Sequence, residues 1–212
     1  MEKGIPSEIK AIIFDLGNVL VDFNHAIAAQ RISRFTEKSP QEIFNLFFDS
    51  PLTGLFEEGK ISPEEFFLRI KKMLNLKLKF NEFVPIWNEI FFLTEKNHQV
   101  YNLAKTLKNR YKLALLSNIN ILHFEYLVKN FPVFDVFHNI ITSFESGFQK
   151  PHPLIYKKTL QALKVACACD VFYTDDRQEL VDKARELGLR CAVFKDPVQL
   201  KHDLEEAGIN TN

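Results

Sequence analysis

Asp15 closes the apolar run Lys10-Ala-Ile-Ile-Phe-Asp15 and is followed by Leu16-Gly17-Asn18, residues that favour a turn. A carboxylate on a tight loop at a strand end can attack an electrophilic phosphorus and form an aspartyl-phosphate, if a cation offsets the repulsion between carboxylate and phosphate. A second apolar run, Val171-Phe-Tyr-Thr, ends on the pair Asp175-Asp176. Adjacent acids at a buried strand end repel each other unless neutralised. Hard Mg²⁺ takes oxygens from a few carboxylates and carbonyls while keeping waters, which fits Asp15 with Asp175 and Asp176. Ser117 and Asn118 end a third run. With free backbone N–H groups at the next helix start and in the Leu16-Gly17-Asn18 loop, they are suitable donors to phosphoryl oxygens. Lys150, in Gly147-Phe148-Gln149-Lys150-Pro151, adds a fixed positive charge. Pro151 disfavours helical geometry at Lys150 and holds it in a loop ahead of a helix starting near Pro153.

Something must bring these residues together. Strand-like runs occur at Lys10–Asp15, Lys112–Asn118, Val171–Asp176 and Arg190–Asp196, with a weaker one at Asn139–Ser143. Helical periodicity fills 95–109, 119–130, 153–164 and 177–188, and Gly188 stands as a C-cap before the next strand. The alternation predicts an α/β chain, a Rossmann-like parallel sheet with helices on both faces. Ligands of such sheets bind beyond the carboxyl ends of the strands, where these polar residues fall.

Nothing in 23–92 reads as a strand, so the expected organisation is a core of 1–22 and 93–212 with an inserted helical bundle at 23–92. Short crossings are expected near Val21–Asn24 and Phe92–Glu95. Ser39-Pro40-Gln41-Glu42 and Ser62-Pro63-Glu64-Glu65 each supply a hydroxyl N-cap, a proline at the first helical position and a glutamate two residues on. Phe44 with Phe48, Ile43 with Phe47, and Phe66, Ile70 and Met73 with Phe67 and Leu74 give the apolar face, and Trp87 is expected in the same core.

Composition sets limits. The 212 residues carry 27 Lys plus Arg against 27 Asp plus Glu, a balance that gives no support for a basic footprint for nucleic acid, and Lys71-Lys72 and Lys157-Lys158 read as solvated helix faces. The 46% hydrophobic content supplies a real core. No apolar run approaches membrane-spanning length, and Met1 to Lys10 does not have the pattern of a secretory leader. Three cysteines, Cys167, Cys169 and Cys191, make a poor zinc pattern and are expected as buried free thiols of a cytoplasmic protein. His98, His123, His138, His152 and His202 lack ligand spacing and are expected in packing or surface roles.

Taken in order, Phe14-Asp15-Leu16-Gly17-Asn18-Val19-Leu20, Leu116-Ser117-Asn118, Gly147-x-x-Lys150-Pro151 and Tyr173-Thr174-Asp175-Asp176 resemble the four motifs of the haloacid dehalogenase superfamily, over essentially the whole chain. The insertion, with Phe56-Glu57-x-Gly59-x-Ile61-Ser62-x-Glu64-Glu65-Phe66, resembles that superfamily's helical C1 cap. The branch it most resembles holds glucose-1-phosphate phosphatase-like enzymes and the N-terminal phosphatase domain of soluble epoxide hydrolase. The resemblance implies a Mg²⁺-dependent phosphomonoesterase acting on a small phosphorylated metabolite such as a sugar phosphate, as a monomer or homodimer. It implies Asp15 as nucleophile and metal ligand, a metal-ligating carbonyl at Gly17, and Asp175 and Asp176 completing the metal set. Ser117, the backbone at Leu16, Gly17, Asn18 and Asn118, and Lys150 would then bind the phosphoryl group.

Two positions depart from the family pattern. Its phosphatases commonly place a second aspartate, the general acid and base, two residues after the nucleophile, where this chain has Gly17. Without a proton donor, aryl, acyl and anomeric sugar phosphates are the favoured substrates. Asp22, His25 and Glu57 are the candidate replacements. In the fourth motif Leu180 stands where Asn or Asp is common, and neighbouring Glu179 and Asp182 read as solvated charges. Two other readings use the same residues: a phospho-ligand sensor that kept the pocket and lost the acid, and a 2-haloacid dehalogenase, which has no use for Asp175-Asp176.

Overall fold

A computed structural model describes residues 8–48 and 50–212; the Phe48 side chain lies outside the described residues, as do residues 1–7 of the stretch Met1 to Lys10. The chain runs β1 (Ala11–Phe14), β2 (Asp22–Phe23), α1 (His25–Ile32), α2 (Pro40–Phe48), α3 (Pro51–Glu57), α4 (Pro63–Leu74), α5 (Phe80–Asn88) and β3 (Phe91–Phe92). It continues through α6 (Glu95–Leu107), β4 (Lys112–Ser117), α7 (Ile121–Asn130), β5 (Asn139–Thr142), α8 (Ser143–Ser146) and α9 (Pro153–Leu163). It ends with β6 (Val171–Asp175), α10 (Gln178–Glu186), β7 (Arg190–Val193) and α11 (Pro197–Glu206).

Five strands form one parallel sheet in the order β5-β4-β1-β6-β7, a doubly wound arrangement with β1 at its centre. Period-two alternation divides its side chains between two cores. Ile12, Phe14, Leu113 and Leu115 face one way, onto Val100 and Leu107 of α6, Leu127 of α7 and Leu200 and Leu204 of α11. Ala11, Ile13, Ala114 and Leu116 face the other, onto Ile155 and Leu163 of α9 and Val181 and Ala184 of α10. Buried on both faces, the strands are the continuous apolar runs seen in the sequence. Gly188 follows α10 at φ +89, the left-handed position expected of it.

Helices α1 to α5 form a bundle with its own core, in which Trp87 packs among Phe47, Phe66 and Phe83. The first capping box is complete: the Glu42 N–H donates to Ser39 Oγ and the Ser39 N–H to Glu42 Oε2. The second is half formed, because Glu65 pairs with Arg69 instead of reaching back to Ser62.

Three expectations need correction. The stretch 23–92 begins and ends in strand, since Asp22–Phe23 pairs antiparallel with Phe91–Phe92, a ribbon too short to show alternation in sequence. A further helix, α11, follows β7, capped by Asp196 accepting from the Val198 and Gln199 N–H groups. The cysteines are not all buried free thiols: Cys167 and Cys169 are disulfide-bonded, Cys167 is exposed, and Cys191 is free and half-buried. Cys167 and Cys169 sit beside and in a 3₁₀ turn (Ala168–Asp170) between α9 and β6, whereas Cys191 lies in β7. Among the described residues no helix is long and apolar enough to cross a membrane.

Candidate active site

Strand register assembles the site. Phe14 pairs with Thr174 across the β1–β6 ladder, so the next residues, Asp15 and Asp175, lie side by side at the sheet's carboxyl edge. The Asp15 N–H donates to the Thr174 carbonyl and extends the ladder to that point (3.0 Å). Carboxylate oxygens of Asp15, Asp175 and Asp176 all lie within 4.8 Å of one another. Lys150, buried in the loop between α8 and α9, donates from Nζ to Asp15 Oδ1 at 2.6 Å, Asp175 Oδ2 at 2.7 Å and the Leu116 carbonyl at 3.0 Å. A cis peptide joins it to Pro151.

Three carboxylates thus face one ammonium. Burial pushes the Asp15 carboxyl up to about 7 against the pull of Lys150, with Asp175 and Asp176 adding to the rise. Burial also raises Asp176, against a hydrogen bond from Asn18. Asp175 goes the other way: Lys150, Tyr173 and the Arg177 N–H outweigh its burial and hold it below the usual carboxylate range. Lys150 is raised, because its two carboxylates outweigh the desolvation that disfavours its charge.

Around this cluster the loops are fixed by side chains. Asn18 takes the left-handed conformation (φ 57), and its Nδ2 donates to Asp176 Oδ2 at 2.8 Å. Asn118 clamps the Lys150 loop in both directions, donating from Nδ2 to the Lys150 carbonyl (2.9 Å) and accepting the Lys150 N–H on Oδ1 (2.7 Å). The sequence offered Asn118 as a donor to phosphoryl oxygens; its side chain is instead a positioning device for the Lys150 loop. Tyr173, not singled out before, donates its hydroxyl to Asp175. Its place two residues before Asp175 on one strand face was the available signal.

A cavity of about 450 Å³ opens above the aspartates. Leu16, Gly17, Asn18, Ser117, Asn118 and Lys150 all line it with Asp15, Asp175 and Asp176. Its far wall comes from the helical bundle and the ribbon: Phe23, His25, Thr53, Gly54, Glu57 and Phe91. Of the candidate replacement acids, His25 and Glu57 reach this wall. Asp22 does not line it; Lys96, Thr94 and Asn97 all bond to its carboxylate. Leu180 is buried, its carbonyl accepting the Tyr156 hydroxyl (3.0 Å), while Glu179 and Asp182 pair with Arg177 and Arg185 at the surface, as expected of solvated charges.

Gly17 has a steric reason to be glycine. A Cβ there would stand 2.8 Å from Cε1 of Phe23, whose ring is flanked by His25 and Phe91. Gly17→Ala is therefore expected to cost about 1–3 kcal/mol by overpacking, and clearly less in a Phe23→Ala background. Chemical denaturation of the four proteins of that cycle measures the coupling.

Comparison with known proteins places this geometry. A model of the haloacid dehalogenase-like hydrolases matches residues 9–188. The chain belongs to that family. It is 24% identical over 186 residues to D-ribitol-5-phosphate phosphatase of Bacteroides thetaiotaomicron, covering 85% of this chain and 89% of that protein. It is 27% identical over 195 residues to drimenol cyclase drtB of Aspergillus calidoustus; this covers 90% of the chain but only 35% of that longer protein. A HAD family enzyme of B. thetaiotaomicron, solved in complex with magnesium and inorganic phosphate, superposes with a TM-score of 0.76 at 27% identity, covering 88% of this chain and 94% of that one.

Proposed function

We propose that this hydrolase is a Mg²⁺-dependent phosphomonoesterase that transfers the phosphoryl group of a small metabolite, a sugar phosphate being the favoured class, to Asp15. The observation that carries the reading is the convergence of Asp15, Asp175 and Asp176 around a single buried lysine beneath a cavity. The donor set fits a hard divalent cation: three carboxylates with a net negative charge after Lys150 is counted. Asp15, Asp175, Asp176 and the Gly17 carbonyl would hold Mg²⁺, which when bound offsets the charge of the phosphoryl oxygens.

The chain's own residues do the rest. Asp15 Oδ attacks phosphorus, the bond to the leaving oxygen breaks, and an aspartyl-phosphate forms. Lys150 holds Asp15 in place and stands beside the charge that develops on the phosphoryl group, while Ser117 and the N–H groups of Leu16, Gly17 and Asn118 receive its oxygens; the Asn18 N–H, expected among these donors, is instead given to the Val21 carbonyl (2.8 Å). Water then releases phosphate. Residues 23–92 act in this reading as a cap that excludes bulk water and selects the substrate. The phosphatase named among the relatives and the magnesium–phosphate complex of a structural relative support the same chemistry.

Phosphate release from a panel of aryl, acyl, sugar and polyol phosphates, with Mg²⁺ and with excess chelator, tests the proposal. Turnover that requires Mg²⁺ is expected on at least one class. A folded protein that raises its melting temperature with phosphate and Mg²⁺ but turns over nothing would overturn it in favour of a phospho-ligand sensor.

A further inference from the structure

The site described so far lacks a proton donor for the departing oxygen. Phe23 fills the space into which a side chain at position 17 would project, so no acid can stand there without displacing the ring. The donor must come from another titratable group on the cavity wall. Outside the aspartate cluster these are Lys150, Arg177, His25, His123 and Glu57.

Four of them are unsuited. Lys150 is committed to two carboxylates and a carbonyl, and a guanidinium such as Arg177 does not release its proton. Burial pushes the His25 imidazole down to about 3, with His123 adding to the drop, so it is neutral near pH 7. Burial holds His123 down to about 4 despite its bond to the Trp87 carbonyl, and both its ring nitrogens are engaged, by Asn120 and Trp87.

Glu57 remains, and its setting differs from that of an ordinary surface glutamate. It ends α3 on the cavity wall and is tied to the catalytic core at several points. Its carbonyl accepts the Ser143 hydroxyl (2.6 Å), its Oε2 accepts from Gln149 Nε2, and neighbouring Glu58 accepts the Gln149 N–H (3.4 Å). Two residues on, Gly59 sits at φ +65 so close to α8 that a Cβ would fall on the Phe144 carbonyl. Gln149 directly precedes Lys150, so one loop carries both the ammonium on Asp15 and the amide that orients Glu57.

We propose that Glu57 is the general acid and base of this site, giving its proton to the leaving-group oxygen and recovering one from the water that hydrolyses the aspartyl-phosphate; this rests on the phosphomonoesterase reading above. The balance closes. As Asp15 forms its bond to phosphorus, the ester oxygen leaves with the Glu57 proton as an alcohol, and Glu57 becomes a carboxylate. Water then attacks phosphorus, one proton returns to Glu57, and hydrogen phosphate and the Asp15 carboxylate are released. With Gln149 on Oε2, Oε1 is left to carry the proton. Burial lifts the carboxyl to about 7, opposed by Gln149 and Arg177 and assisted by Glu58, so a large fraction is protonated at neutral pH. The other charges on this cavity are Lys150, Asp15, Asp175 and Asp176, with His25 and His123 neutral.

The test compares wild type, Glu57→Gln and Glu57→Asp on p-nitrophenyl phosphate, whose leaving group needs no proton, and on alkyl phosphates, whose leaving group does. At saturating Mg²⁺, Glu57→Gln should lose about 10²–10⁴-fold in kcat on alkyl esters and at least tenfold less than that on the nitrophenyl ester. Glu57→Asp should retain part of the alkyl activity. Wild-type alkyl turnover should fall as pH rises through about 7, where Glu57 loses its proton, and this limb should be missing in Glu57→Gln. Equal losses on both esters, or no loss, would overturn the assignment while Mg²⁺-dependent nitrophenyl turnover kept the phosphatase reading intact. If Glu57→Gln does not fold, a wild-type series from nitrophenol to simple alcohols decides: a shallow dependence on the leaving group supports an internal acid, and a steep one overturns it.

Discussion

Asp15→Asn is expected to abolish phosphate release, by at least about 10³-fold and on the order of 10⁶-fold if no other nucleophile substitutes. The amide is nearly isosteric with the carboxylate but does not attack phosphorus. Its carbonyl oxygen can still accept from Lys150 Nζ, which now stands 2.6 Å from Asp15 Oδ1. One negative charge disappears from a buried cluster of three carboxylates facing one ammonium, and burial already opposes ionisation of Asp15. The melting temperature of Asp15→Asn in chelator is therefore expected to equal or exceed that of wild type, and its stabilisation by Mg²⁺ to be smaller. Single-turnover phosphate release paired with thermal melts, each with and without Mg²⁺, separates these effects. Residual Mg²⁺-dependent turnover within tenfold of wild type would remove Asp15 from the role of nucleophile.

The aspartate cluster was legible in the sequence because each acid ends an apolar run, and parallel strands of similar length bring their ends to one edge. The pairing of Phe14 with Thr174, which sets Asp15 beside Asp175, follows once those runs are laid next to each other. Two helix starts inside the bundle were legible for a different, local reason: Ser39 and Ser62 announce them through bonds that span three residues. What sequence alone did not show depends on side-chain contacts that follow no helical or strand period. Nothing local links Gly17 to the ring of Phe23, and the bond between Gln149 and Glu57 spans 92 positions. Asn118 reads in the sequence as a donor to phosphoryl oxygens, yet its side chain spends both its polar atoms on the Lys150 backbone 32 residues away. The Asp196-Pro197 start of α11 did carry a readable signal, an N-cap followed by proline, which the apolar run of β7 overshadowed.

Lys150→Met should act on both stability and turnover, and its effect on stability should oppose that of Asp15→Asn. Lys150 Nζ is fully enclosed and makes three bonds, to Asp15, Asp175 and the Leu116 carbonyl. Methionine matches the aliphatic stem and removes the ammonium that Asp15 and Asp175 share, so the repulsion among Asp15, Asp175 and Asp176 rises. Breaking a buried ion pair from one side costs about 3–5 kcal/mol, because the remaining charge keeps its desolvation penalty and loses its partner. Removing the acid at one end of this pair and removing the base at the other are therefore not equivalent: the first relieves an excess of negative charge and the second enlarges it. Mg²⁺ should recover part of the loss in Lys150→Met, since a divalent ion among the same carboxylates replaces the missing charge, so its Mg²⁺-dependent rise in melting temperature should exceed that of wild type. Turnover should still fall by about 10²–10³-fold, the range seen when one charge-stabilising donor is removed. Lys150→Arg should not restore it, because a planar guanidinium does not reproduce a compact ammonium that meets two carboxylates and a carbonyl in an enclosed site. Melts of Lys150→Met and Asp15→Asn in chelator, run side by side, carry the decision. Shifts of the same sign would mean that the cluster is not held by the balance of charge described, and shifts of opposite sign would establish that one lysine keeps three aspartates together.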